Sequence, residues 1–216
     1  SDITNFPLLK KIASKKKPIL ISTGASSLTE IKKAKEYLEK NGSKKIVIMH
    51  CILNYPTMNK DANLNMILSL KRSFPKNIIG YSDHTLPNKD MKNITTAFLL
   101  GAKVIEKHFT LNKKWKGPDQ SSSLDPKEFT KMVKAIRNID LAKGSYNKKI
   151  TFSESKNIKF ARKSIVASQD IKKGQKFSIN NLTIKRPGNG ISPMRWFKVL
   201  QMRAKKKFKK DDLIII

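Results

Sequence analysis

Along the first two-thirds of the chain, short apolar runs alternate with longer amphipathic stretches. The runs are β-branched and bounded by turn residues: PILIST at 18–23, KKIVIMH at 44–50, NIIGY at 77–81 and KVIEKHF at 103–109. Runs of this length and composition read as strands buried on both faces. The stretch SLTEIKKAKEYLEKNG that begins at Ser27 has helical spacing instead. Ser27 and Glu30 sit at capping-box distance, and Gly42 is a stop signal. Further helices are expected over 62–74 and 89–100. A last one opens at Asp125-Pro126, an N-cap followed by proline at the first helical position, and runs to about residue 142.

Strand starts near 18, 44, 77 and 103 give four βα units with repeat lengths that suit a (β/α) barrel. A whole barrel takes eight units and about 250 residues. The expected fold is therefore α/β: the C-terminal half of a TIM (β/α)8 barrel, with an open doubly wound sheet as the structural alternative. Beyond Lys143 the pattern changes. Residues 146–156 read as a polar linker without periodicity. Residues 157–216 then carry short β-like pieces (SIVAS, QKFS, LTIKRP) divided by Gly and Asn, and end DDLIII. This small, mostly-β domain is expected to have little room for a core and to lean on a partner surface. The organisation read from the chain is thus 1–145, 146–156 and 157–216.

Composition changes this picture in one respect. Among 216 residues, 46 are Lys or Arg against 16 Asp or Glu, a formal net charge of +30. That invites a nucleic-acid reading, but only six of the cations are Arg, and Arg supplies the bidentate fork that base and phosphate readers enrich. The lysines are spread over every helix and loop among many Asn and Ile, as on a solvated surface. What the charge does imply is affinity for anions, phosphate-bearing substrates included. No run approaches the ~20 apolar residues of a membrane helix. The opening SDITNFPLLKK lacks the order of a secretory signal, so a soluble, cytoplasmic chain is expected. The single Cys51 excludes internal disulfides and a cysteine zinc cage.

Functional side chains of a (β/α) barrel sit at the C-terminal ends of its strands. Ser22, His50, Ser82-Asp83-His84 and His108 all fall there, and so do all three histidines of the chain. Each histidine alone is as well explained by a structural hydrogen bond. Three at one rim are not. His84 and His108 are 24 residues apart, close to one βα repeat. They would stand on adjacent strands, where with carboxylates they could share manganese or another first-row metal. The Gly117-Pro118 turn would present Asp119 to the same rim. The Ser22-Thr23-Gly24 turn offers hydroxyls and free backbone N–H groups as a phosphate or carboxylate cradle. There is no GxGxxG, Walker A or GxSxG, and Cys51 has no activating partner. The motifs support neither a dinucleotide enzyme nor a serine hydrolase.

Six strings, in order along nearly the whole chain, resemble the sialic acid synthase family: PILISTG (18–24), MHCILNYPT (49–57), IGYSDHTL (79–86), VIEKHFTL (104–111), KGPDQSSSLDP (116–126) and IKRPGNGISP (184–193). The family joins a TIM barrel to an antifreeze-like (SAF) domain. It condenses phosphoenolpyruvate with an N-acetylmannosamine-type sugar to give N-acetylneuraminate or a related nonulosonic acid plus phosphate, in surface carbohydrate biosynthesis. The resemblance implies that His84 and His108 bind Mn2+ as a Lewis acid for the open-chain sugar's aldehyde. It implies phosphoenolpyruvate-binding hydroxyls at Ser22 and Ser82, and sugar contacts at Tyr55 and Asp119. Asp2 falls where the family has a carboxylate beside the reacting centre. Arg186 corresponds to an arginine that one subunit's small domain contributes to the other's sugar site, which implies a domain-swapped homodimer.

Two departures stand out. Leu53 occupies a position where the family often has a phosphoenolpyruvate-binding amide or hydroxyl, with Asn54 next to it as a candidate replacement. The family's first four strands, with an acidic residue and lysines for the substrates, precede the start of this sequence. The chain therefore reads as a fragment, expected to be inactive alone. The function classes carried forward are a nonulosonate synthase, an inactive remnant or half of a split synthase, and, least supported, a basic nucleic-acid-binding protein.

Overall fold

A computed structural model describes residues 2–216 and divides the chain into two compact units, one ending at Gly144 and one spanning Ser145–Ile216. The first unit begins with a short 3-10 turn, Asp2–Thr4, and helix α1, Phe6–Ala13. It continues as β1 (Ile19–Ser22), α2 (Leu28–Lys40), β2 (Ile46–His50), α3 (Met66–Ser73), β3 (Ile78–Asp83), α4 (Lys92–Leu100), β4 (Val104–Lys107) and α5 (Pro126–Lys143). The four strands form one parallel sheet in the order β1-β2-β3-β4, with Ile19 opposite Ile46, Val47 opposite Ile78 and Gly80 opposite Val104.

Both expected capping boxes are formed. Ser27 and Glu30 exchange bonds at the start of α2, and Asp125 and Glu128 do so at α5. Two helices start later than their patterns suggest. A residue with left-handed backbone stands before each: Asn63, at φ 45°, ahead of α3, and Met91, at φ 52°, ahead of α4. α1 was not anticipated. Asn5 caps it by accepting from the Leu8 N–H at 3.2 Å, and Pro7 occupies its first turn.

The period of two along each strand separates two faces. Ile19, Ile21, Ile46, Ile48, Ile79, Tyr81 and Ile105 face the helices. There they pack with Ile31, Leu38, Ile67 and Leu70 into the main core. Fully buried side chains such as Leu38 and Ile48 each contribute roughly 1.5–3 kcal/mol. Leu20, Val47, Met49, Ile78, Gly80, Ser82, Val104 and Glu106 alternate onto the opposite face. Leu20 and Ile78 remain 54% and 53% exposed there.

In the second unit, residues 146–156 are not wholly a linker. Helix α6, Phe152–Ala161, starts inside that span because Thr151 and Glu154 form a third capping box, which nucleates a helix whose apolar positions lack a period. Strands β5 (Ser164–Ala167) and β6 (Leu182–Lys185) pair antiparallel, and α7 (Trp196–Leu200) follows. The expected QKFS strand is reduced to a single bridge between Lys176 and Arg203. This unit closes a core of its own around Ile165, Ile171, Phe177, Leu182, Val199, Phe208 and Ile214, more than its length suggested. Among the described residues, no helix is long and apolar enough to cross a membrane.

Candidate functional site

Two of the three histidines meet at the C-terminal end of the sheet. His84 follows β3 directly and His108 follows β4 directly. Period-two alternation brings both rings to the face that carries Ser82 and Glu106. Their ring centroids are 5.3 Å apart, and the Tyr55 ring packs against both, at 4.2 Å from His84 and 5.6 Å from His108. Ser82 Oγ lies 3.2 Å from His84 Nε2 and donates to Glu106 Oε2. Asp119 Oδ2 stands 3.8 Å from His108 Nδ1, within ion-pair reach but beyond a hydrogen bond.

The hydrogen bonds orient the His84 ring. The Ile52 carbonyl lies 2.7 Å from Nδ1, so the neutral ring donates its N–H there and turns Nε2 toward Ser82. Nε2 lies 3.2 Å from Ser82 Oγ, which itself donates to Glu106. A carbonyl on the remote nitrogen is how proteins orient imidazole ligands. The residues present therefore fit a metal held by two imidazoles. Among the described residues, no cluster of three or more His, Cys, Asp and Glu forms a metal cage. A bound ion would thus keep open positions for other ligands.

Burial pushes the Tyr55 phenol above its ordinary range, and the nearby charges of Asp119 and Glu106 add to this, so the ring stays protonated as a donor. Glu106 was not singled out from the sequence. The signal was available, because Glu106 and His108 are two apart in VIEKH and so share a face.

Other candidates lie elsewhere. His50 is buried, its Nε2 is 2.9 Å from the Ala62 carbonyl, and its ring stacks on Tyr81 at 5.7 Å. It belongs to the helix-facing side and is the structural histidine of the three. Ser22 ends β1 with an exposed side chain, two strands from His84. The Ser22-Thr23-Gly24 turn is not the expected free N–H cradle. The Thr23 N–H and hydroxyl both donate to the Met49 carbonyl, at 3.0 and 2.9 Å, and the Gly24 N–H donates to Cys51 Sγ at 3.1 Å. The two strand ends come so close there that a Cβ on Gly24 would sit 3.0 Å from Cys51 Sγ. Burial raises the Cys51 thiol above its usual range, which keeps it protonated.

The Asp2 carboxylate accepts from Asn5 at 3.4 Å, not from the histidine cluster. Leu53 and Asn54 are both exposed beside Tyr55. The Asn54 carbonyl accepts from the Thr57 hydroxyl at 2.7 Å. Arg186 is an exposed residue of the second unit, just past β6. Behind the rim, on the helix side, a cavity of 390 Å³ is lined by Thr23, Ser26, His50, Cys51 and Met66 among others. It includes neither His84 nor His108.

Comparison with known proteins places this geometry in context. The N,N'-diacetyllegionaminic acid synthase of Campylobacter jejuni is 48% identical over 215 residues, which cover 99% of this chain and 63% of that protein. The pseudaminic acid synthase of the same species is 37% identical over 206 residues, covering 95% of this chain and 59% of the relative. The crystal structure of an N-acetylneuraminic acid synthetase from Leptospira borgpetersenii superposes with a TM-score of 0.65 at 34% identity, covering 73% of this chain and 53% of that one. The chain thus spans less than two-thirds of the length of each. A SAF domain matches residues 162–214. With the NeuB family model matching residues 1–148, the chain belongs to the NeuB family and carries a SAF domain later in its sequence.

Proposed function

We propose that the protein is a nonulosonic acid synthase, which condenses phosphoenolpyruvate with an N-acetylated amino sugar and releases phosphate. The observation that carries this reading is the Tyr55–His84–His108 cluster, with Ser82 and Glu106 beside it, at the strand ends of a NeuB-family sheet. The four βα units are read as the later half of a TIM barrel. The uncovered apolar face with Leu20 and Ile78 supports this, since a barrel's inner wall buries such a face.

His84 and His108 are assigned to a divalent ion, Mn2+, which when bound would polarise the sugar's aldehyde carbonyl. Tyr55, held protonated, donates to a sugar oxygen, and Asp119 accepts from the acetamido or hydroxyl groups. The Ser22 and Ser82 hydroxyls, with Asn54 beside Leu53, bind phosphoenolpyruvate. C3 of phosphoenolpyruvate attacks the aldehyde carbon, water adds at C2, and phosphate leaves by C–O cleavage. The Lys-rich surface favours both anionic substrate and product. Arg186 reaches the sugar of the other subunit in a domain-swapped homodimer.

The test is phosphate release from phosphoenolpyruvate by the full polypeptide against a panel of acetamido sugars. A 2,4-diacetamido hexose comes first, in view of the 48%-identical relative. Release should require both sugar and Mn2+, and His84→Ala or His108→Ala should abolish it with the fold intact. Turnover without sugar, or either variant keeping wild-type metal affinity and rate, would overturn the assignment.

A further inference from the structure

The β3–β4 ladder ends where Asp83 stands opposite Lys107. Each of these residues is the chain neighbour of one cluster histidine. Among the described residues, no backbone bond joins the two strands beyond them. The His84 carbonyl is taken by the Thr57 N–H and the His108 carbonyl by the Leu124 N–H, both at 2.8 Å, so each histidine is tied to its own loop and not to the other. Two side-chain links cross between the strand ends: Ser82 to Glu106 on the histidine face, and a buried bridge on the helix-facing side. Lys107 Nζ lies 3.0 Å from Asp83 Oδ2, with the two side chains 1% and 3% exposed. The same ammonium donates to the Thr85 carbonyl, one residue past His84. Asp83 Oδ1 accepts from the Tyr81 hydroxyl at 2.8 Å, the Thr85 N–H at 3.0 Å and the Thr85 hydroxyl at 2.8 Å. Burial and the adjacent carboxylate push the Tyr81 phenol far above its ordinary range, so it remains a donor.

We propose that the buried Asp83–Lys107 bridge is the positioning element that sets the spacing and orientation of His84 and His108. Neighbouring side chains in a strand point to opposite faces, so the bridge grips both strands from behind while the imidazoles stand in front. It holds the residues on both sides of His84, at 83 and 85, to the residue just before His108. A buried ion pair is weak evidence of a role in stability, because apolar residues of similar volume pack as well. Its directional bonds supply what apolar packing lacks, a single register between two strand ends. The inference rests on the metal reading above only for the identity of what the rings hold.

The test uses the double variant Asp83→Asn/Lys107→Met, which removes both charges together and leaves no lone ion buried, alongside Lys107→Arg. Two readouts are taken: Mn2+ affinity by titration of the metal alone, and the imidazole ¹⁵N spectrum of the metal-free protein. The double variant should bind Mn2+ at least about tenfold more weakly, the loss typical when an outer support of a metal ligand is removed. His84 should lose its single Nδ1–H tautomer, and Lys107→Arg should keep both properties near wild type. If the double variant does not fold, Thr85→Val decides. It drops one bond to Asp83, and the one that Asn93 Nδ2 donates at 3.0 Å, while keeping its shape, and should shift the His84 signals in the same direction by less. A folded double variant, or Thr85→Val in its place, with the wild-type imidazole spectrum overturns the proposal. A wild-type protein that binds no Mn2+ refutes the metal reading instead, and the imidazole spectra then decide the positioning role alone.

Discussion

Gly80 tests how tightly the sheet must close for the two histidine strands to stand side by side. It lies in β3 two residues before Ser82, between Met49 of β2 and Val104 of β4. A Cβ at this position would fall 2.2 Å from Met49 Sδ and 2.8 Å from the Val104 carbonyl oxygen. To reach an ordinary contact of 3.4 Å, the sulfur must retreat by about 1.2 Å and the carbonyl by about 0.6 Å. The thioether can swing toward the open face. The carbonyl cannot move alone, because it belongs to the strand that carries Glu106 and leads to His108. Overpacking of this kind costs roughly 1–3 kcal/mol. Removing a glycine from the unfolded chain returns about 0.4–1 kcal/mol. Gly80→Ala should therefore lose about 1–2 kcal/mol in urea titration. At roughly 2–4 °C per kcal/mol for a chain of this size, that is a Tm lower by about 2–8 °C. In a cycle with Met49→Ala the sulfur's share of the clash disappears, so the double variant should be less destabilised than the two singles added. Gly117→Ala is the control. Its Cβ meets only the flexible Gln120 side chain at 3.1 Å, and it should stay within about 0.5 kcal/mol of wild type. A Gly80→Ala protein equally close to wild type, or strict additivity with Met49→Ala, would refute the reasoning.

Three further outcomes are expected. Burial lowers the affinity of His50 for a proton, only partly offset by its bond to the Ala62 carbonyl, so its folded pKa lies below the unfolded value of about 6.5. Below that pH the unfolded chain binds the extra proton. The stability supplied by neutral His50 is thus complete above about pH 6.5 and is lost as pH falls through the folded value, a slope that His50→Gln should flatten in chemical denaturation at stepped pH. Leu53→Asn, which returns an amide to an exposed rim position, should lower KM for phosphoenolpyruvate with kcat little changed; an unchanged KM would remove Leu53 from the phosphate side of the site. Arg186→Ala should raise the sugar KM and spare phosphoenolpyruvate binding, and mixing it with His84→Ala chains should restore activity in heterodimers, whereas no recovery in well-mixed heterodimers argues against the exchanged arginine.

Much of the fold was legible in the order of residues. Strands announce themselves by short β-branched runs, and α2 and α5 by Ser27–Glu30 and Asp125–Glu128, because these signals act within a few residues. A local signal was also present at Thr151–Glu154, but no apolar period followed it, and α6 went unread. The pairing of His84 with His108 followed from one βα repeat between them, since parallel neighbours bring equivalent strand ends together. Other features depend on contacts across the sheet that no local pattern encodes. Only the fold could turn His50 toward Tyr81 and away from the other two histidines. Only there do the N–H groups of Thr23 and Gly24 find Met49 and Cys51, 26 and 27 residues on, and cease to be a free cradle. The Asp83–Lys107 bridge is of the same kind. In the sequence, Asp83 and Lys107 are two polar residues beside two histidines. They become a buried pair because strand register sets them opposite each other on the helix side, where water is excluded and each charge needs a partner.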